Sequence, residues 1–93
     1  MEKDLLIKPD GGIVEVCPNN GTDYSLEELQ NFVGGYVQIC RGADCIFVCN
    51  EEGKLNNLPV NYAATTTAHH TKALALGDFF VGNVLLTVGE RVK

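Results

Sequence analysis

Nowhere in these 93 residues is there a run approaching the roughly 20 apolar residues that a membrane-spanning helix needs. The N-terminal Met-Glu-Lys-Asp-Leu-Leu-Ile-Lys interrupts a short apolar run with charges, so it does not read as a signal peptide. A cytoplasmic setting is expected, in a bacterium or a virus-infected bacterium, with Cys17, Cys40, Cys45 and Cys49 as reduced thiols. Basic residues are scarce and scattered: seven Lys and Arg against twelve Asp and Glu, a formal net charge of −5. Phosphate binding needs clustered Lys and Arg, so nucleic acid is not an expected partner, and neither is a membrane.

Catalytic signatures are also missing. There is no G-x-S-x-G, no P-loop, no dinucleotide fingerprint and no H-E-x-x-H. The cysteine spacing, C-x22-C-x4-C-x3-C, lacks the paired C-x2-C knuckles of common zinc sites. Strand alternation would still put Cys40, Cys45 and Cys49 on one face, but Cys behaves mainly as a small buried hydrophobe. No metal and no cofactor is expected. A Cys40–Cys45 cross-strand disulfide would need both oxidation and suitable geometry. Neighbouring His69 and His70 point apart in regular structure and read as an exposed loop pair. Glu51 and Glu52 beside Gly53 read as solvated turn carboxylates.

What is present is architectural. Ser25 and Glu28 have capping-box spacing, and Tyr24 and Leu29 are placed for a hydrophobic staple. Leu26, Leu29, Phe32 and Val33 follow the 3.6-residue period, and Gly34 sits where a left-handed cap would end the helix. Two β-rich runs follow, joined through Arg41-Gly42-Ala43-Asp44, and read as a hairpin. With Cys40 opposite Cys45, Val37, Ile39, Ile46 and Val48 share an aliphatic face that the helix should cover. Tyr36, Gln38, Cys40, Cys45, Phe47 and Cys49 share the other face, a second layer or an interface.

Upstream, Pro9-Asp10-Gly11-Gly12 is turn chemistry between two short strands. Downstream, Asn61 can cap a short helical segment near 61–68, although the threonine run is poor helix material and a less regular stretch should follow it. Val84, Leu85 and Leu86 are consecutive and apolar, as in a strand buried on both faces. The expected fold is a single α+β domain over 1–93. It has a mostly antiparallel sheet of about five strands, one main helix (25–33) on one face, and a frayed tail at 89–93.

Three blocks then resemble a known family: Y-S-L-E-E-L-Q-N-F-V-G-G-Y-V, N-E-E-G-K-L-N-N-L-P-V-N and G-D-F-F-V-G-N-V-L-L. In this order and spacing they resemble domain of unknown function 3846, small proteins of bacteria, phages and mobile elements. The cysteine-rich hairpin and the Thr-Thr-Thr-Ala-His-His segment depart from that family's pattern. The resemblance implies a mobile-element setting and no activity, so no catalytic residue is carried over.

The expected function is therefore a non-enzymatic accessory or regulatory protein that binds a host protein. The alternative is an oligomer that binds or sequesters a small nucleotide-like signal, using Asn61, Tyr62, Thr65, Thr66, His69 and His70. The apolar second face of the hairpin argues for a homo-oligomer, most simply a two-fold dimer through Tyr36, Gln38, Cys40, Cys45, Phe47 and Cys49.

Overall fold

The expected capping box forms. Glu28 N donates to Ser25 Oγ at 3.1 Å, and Ser25 N donates to Glu28 Oε1 at 2.8 Å. Helix α1 runs Leu26–Val33 and ends at Gly34, whose φ of 80° is the left-handed cap that glycine adopts without a Cβ clash. The structure is a computed structural model and describes residues 4–75 and 77–92, Glu90 by its backbone alone.

Strands β1 (Asp4–Ile7), β2 (Ile13–Val16), β3 (Val37–Arg41), β4 (Ile46–Asn50) and β5 (Val84–Thr87) form one antiparallel sheet in the order β2-β1-β5-β4-β3. The α+β expectation holds. Strand β5 is central, and Val84 and Leu85 are both 0 % exposed, as their consecutive apolar pattern implied. The central hairpin pairs Cys40 with Phe47, not with Cys45. That moves the register by two residues. A two-residue move preserves the face of every side chain, where a move of one would have reversed them all.

Helix α1 covers the aliphatic face, seating Leu29 and Val33 with Leu6, Ile46, Val48 and Leu85. Two members of the expected stripe fall outside it. Leu26 is 60 % exposed, and Ile39, on edge strand β3, is 37 % exposed. Asn50 ties the helix to the sheet by donating from Nδ2 to Val33 O at 3.2 Å.

The other face is covered too, which composition did not suggest. Helix α2 (Tyr62–His70) lies there, with Ala64 and Ala68 completely buried against a cluster containing Ile7, Phe47, Cys49, Phe80 and Val84. Alanine is what permits this. Small side chains on the helix leave room for the sheet's own Phe47, which supplies the volume. Its ring meets that of Phe80 at a centroid distance of 5.5 Å.

Residues 89–92 do not fray. A 3-10 turn at Gly89–Arg91 returns the chain to the body, and Val92 is buried in the α1-face core. Lys93, the rest of the expected tail, lies outside the described residues. Tyr24 N donates to Arg91 O at 2.8 Å, Arg91 Nη1 donates to Asp4 Oδ2 at 2.9 Å, and Tyr24 Oη donates to the same carboxylate oxygen. Residues 87 positions apart in sequence are thereby joined.

Candidate functional site

The six residues nominated for a ligand do not gather into one. Asn61 is completely buried and works within the fold. Its Nδ2 donates to Ile7 O at 2.9 Å and Gly82 O at 2.8 Å, and its Oδ1 accepts from Ala64 N at 3.1 Å. Thr65 Oγ1 donates to Asn61 O and accepts from Phe80 N. His69 Nε2 lies 3.0 Å from Asp78 O. Tyr62, Thr66 and His70 share an exposed face at four-residue spacing on a convex helix. Asn61 and Thr65 are therefore corrected from ligand contacts to internal braces.

The nominated interface divides as well. Tyr36 and Gln38 are exposed and Cys40 and Cys45 half-buried, but Phe47 is 0 % and Cys49 6 % exposed within one chain. Because α2 lies over Phe47 and Cys49, neither can meet a second copy, and the stated reason for a dimer on that face is removed. All four cysteines are free thiols. Among the described residues no group of three or more His, Cys, Asp or Glu could hold a metal ion. No described helix is long and apolar enough to cross a membrane.

On the α2 face of the sheet, Cys40 and Cys49 both line a cavity of about 140 Å³ that Leu74 and Asp78 to Val81 close beside the Lys54–Asp78 ion pair. Burial pushes the Cys49 thiol from its ordinary 9.0 up to about 12, with Cys40 adding to the rise. Burial also raises Cys40, against the lowering effect of Cys49 beside it. Thiolate is the nucleophilic form, so these groups are inert rather than activated. A pH dependence follows. Above about pH 9 the unfolded chain releases a thiol proton that the folded chain keeps, so the unfolded state binds fewer protons and stability falls as pH rises toward 12. Tyr24, raised by burial and by its bond to Asp4, adds to the loss at higher pH. The expected slope is at most about 1.4 kcal/mol per pH unit for each group. Urea midpoints measured across pH 7–11 check it, and Cys49→Ala should reduce the fall above pH 9, leaving the part that Cys40 contributes.

The sequence reading gave the first hairpin no functional role, yet its second strand holds the most exposed apolar residues of the sheet. Ile13 is 57 % and Val14 42 % exposed, whereas Val16, at the end of the strand, packs against the α1-face core. Lys8 N donates to Gly12 O at 2.8 Å, and Gly11 N, in a residue of φ 91°, donates to Lys8 O at 3.0 Å. Antiparallel pairs alternate between bonded and non-bonded. Counting from the Lys8–Gly12 closure, Leu6–Val14 and Asp4–Val16 are the bonded pairs. Ile13 and Glu15 therefore turn their N–H and C=O away from β1 to the open edge. Alternating exposed β-branched residues at an edge were the available signal; an outer strand and an inner one read alike until the strand order is known.

A family model described as Domain of unknown function (DUF3846) matches residues 3–91. No curated protein matches the chain. No solved structure matches it either.

Proposed function

Since the chain belongs to the DUF3846 family, a domain of unknown function, over residues 3–91, we propose a non-enzymatic role for it. It is an accessory or regulatory protein of a phage or mobile element, and it acts by binding a host protein along the open edge of β2. One observation carries this reading: a sheet edge at which Ile13 and Val14 lie exposed, one on each face. Natural edge strands are commonly blunted by Lys, Pro, a bulge or a covering segment. Within Ile13–Val16 there is neither Lys nor Pro, and Ile13 and Val14 stay uncovered. An extended partner segment would pair with the outward N–H and C=O of Ile13 and Glu15 and lay alternate apolar side chains beside Ile13 and Val14. Glu15, the one charged residue of the strand, together with the net charge of −5, favours a segment carrying Lys or Arg. The small-ligand alternative draws less support, since Asn61 and Thr65 are occupied and Tyr62, Thr66 and His70 line no shared cavity.

The test combines capture with hydrogen exchange. A host protein held by the wild-type chain should slow exchange at the Ile13 and Glu15 amides. Glu15→Pro removes one outward N–H, at an edge position where proline is tolerated, and should weaken capture at least tenfold while leaving the fold intact. Capture that persists in Glu15→Pro, or protection confined to α2, would remove the edge from the reading.

A further inference from the structure

Cys40 and Cys49 are inert as nucleophiles, but their placement suits another task. Cys40 lies opposite Phe47 and Cys49 opposite Gln38, so the two cysteines are diagonal neighbours across the β3–β4 ladder. A two-residue offset keeps the face, and both thiols stand on the α2 side of the sheet. Both line the cavity of about 140 Å³, and each perturbs the other's acidity, as side chains in contact do. Cys40 is half-buried on edge strand β3 while Cys49 is 6 % exposed, so one sulfur stands at the entrance and the other inside.

Spacing and surroundings together restrict what this pair can hold. A disulfide needs Cβ atoms about 3.5–4.5 Å apart, whereas diagonal residues of a ladder lie roughly 7–8 Å apart. An ion between two sulfurs spans more than a sulfur–sulfur bond: two metal–sulfur bonds of about 2.3 Å set the sulfurs roughly 4.6 Å apart. The diagonal suits the second spacing better than the first. Such an ion must be satisfied by two ligands, because among the described residues no third His, Cys, Asp or Glu completes a metal-holding group. Zinc, which takes four, is excluded on that count. Phe47, Phe80 and Leu74 pack in the same cluster as the thiols and offer hydrocarbon rather than a donor. The Asp78 carboxylate is engaged, since its Oδ1 accepts from Lys54 Nζ at 2.6 Å and from Phe79 N at 2.8 Å. Glu51 also lines the cavity, and with Asp78 against the one Lys54 it leaves the lining net negative, which favours entry of a cation.

We propose that Cys40 and Cys49 form a two-coordinate site for a soft monovalent cation, copper(I) in a cell. Soft thiolate ligands select copper(I), and a closed-shell ion of single charge is stable between two sulfurs without further ligands. On binding, both S–H bonds break, the two protons pass to water, and two sulfur–metal bonds form with no change of oxidation state. The other cysteines take no part. Cys17 follows β2 at the opposite edge of the sheet, and Cys45 lines a different pocket beside Thr71. This site is separate from the β2 edge and does not depend on it.

The experiment titrates isotope-labelled full chain, reduced and free of oxygen and chloride, with silver nitrate as a redox-stable stand-in, and follows backbone amide shifts. The first equivalent should shift residues 38–40, 47–49 and 78–81 and leave residues 13–17 in place. Copper(I) should give the same pattern and should be retained against excess glutathione, whereas zinc sulfate should shift none of these residues. Cys40→Ser, a half-buried position, should weaken copper(I) retention at least a hundredfold, and Cys49→Ala should do the same. Cys17→Ser and Cys45→Ser should leave retention unchanged. The amide spectrum of each variant reports its fold, and if Cys49→Ala unfolds, Cys40→Ser decides. A first equivalent that lands at Cys17 or Cys45, zinc binding at the same residues, or retention unaffected by Cys40→Ser would overturn the proposal.

Discussion

Replacing Phe47 with alanine should lower the stability of the folded chain by about 3–5 kcal/mol, the range for removing a fully buried aromatic ring. A domain of this size has roughly 5–15 kcal/mol in all. Phe47 is 0 % exposed, sits in the α2-face core with Ala64, Ala68 and Val84, and meets the Phe80 ring. Alanines on α2 cannot expand into the space it leaves, so a cavity should persist. Phe47→Glu should be worse, because it buries a carboxylate without a partner. Urea denaturation followed by circular dichroism measures the first loss, and circular dichroism with sedimentation of Phe47→Glu separates the two accounts of this face. A face that meets a second copy would give a folded, smaller species. A face covered by α2 gives an unfolded chain. A neutral Phe47→Ala would mean that α2 does not cover the sheet.

Asn61→Ala should cost a similar amount, about 3–5 kcal/mol. Loss of the α2 cap accounts for about 1 kcal/mol, and each of the two stranded carbonyls, Ile7 O and Gly82 O, for about 1–2 more. Asn61→Asp is the informative companion. It keeps an oxygen for Ala64 N but turns a second oxygen, and a charge, toward those two carbonyls, so it should rescue little. Thr66→Ala, on the exposed side of the same helix, should stay within about 0.5 kcal/mol of wild type. Thermal or urea midpoints for the three variants decide the matter. If Asn61→Ala were as mild as Thr66→Ala, Asn61 would not brace the sheet.

These two residues mark where sequence reasoning stopped. Both were singled out from the chain itself, Phe47 as an apolar residue needing cover and Asn61 as a helix cap. What covers Phe47, and which carbonyls Asn61 reaches, depend on segments distant in the chain. The β2 edge was hidden for a related reason. Ile13-Val14-Glu15-Val16 reads as a strand, but whether a strand is an edge is a property of the sheet's order.

Local interactions carried the rest. Ser25, Glu28 and Gly34 placed α1 because a cap closes hydrogen bonds within a few residues. Alternation sorted the central hairpin onto two faces, and the sorting survived a changed register because the change was even. The run Val84-Leu85-Leu86 announced a strand buried on both faces. Only the tertiary structure decided that an Ala- and Thr-rich helix closes the second face, that the C-terminal turn locks through Arg91 to Asp4, and that Leu74 and Asp78 to Val81 close a cavity over Cys40 and Cys49. The physical difference is range. Caps, turns and pleats are set by neighbours along the chain, whereas covering a face or lining a cavity requires knowing which distant surfaces fit at close approach, and composition does not encode that fit.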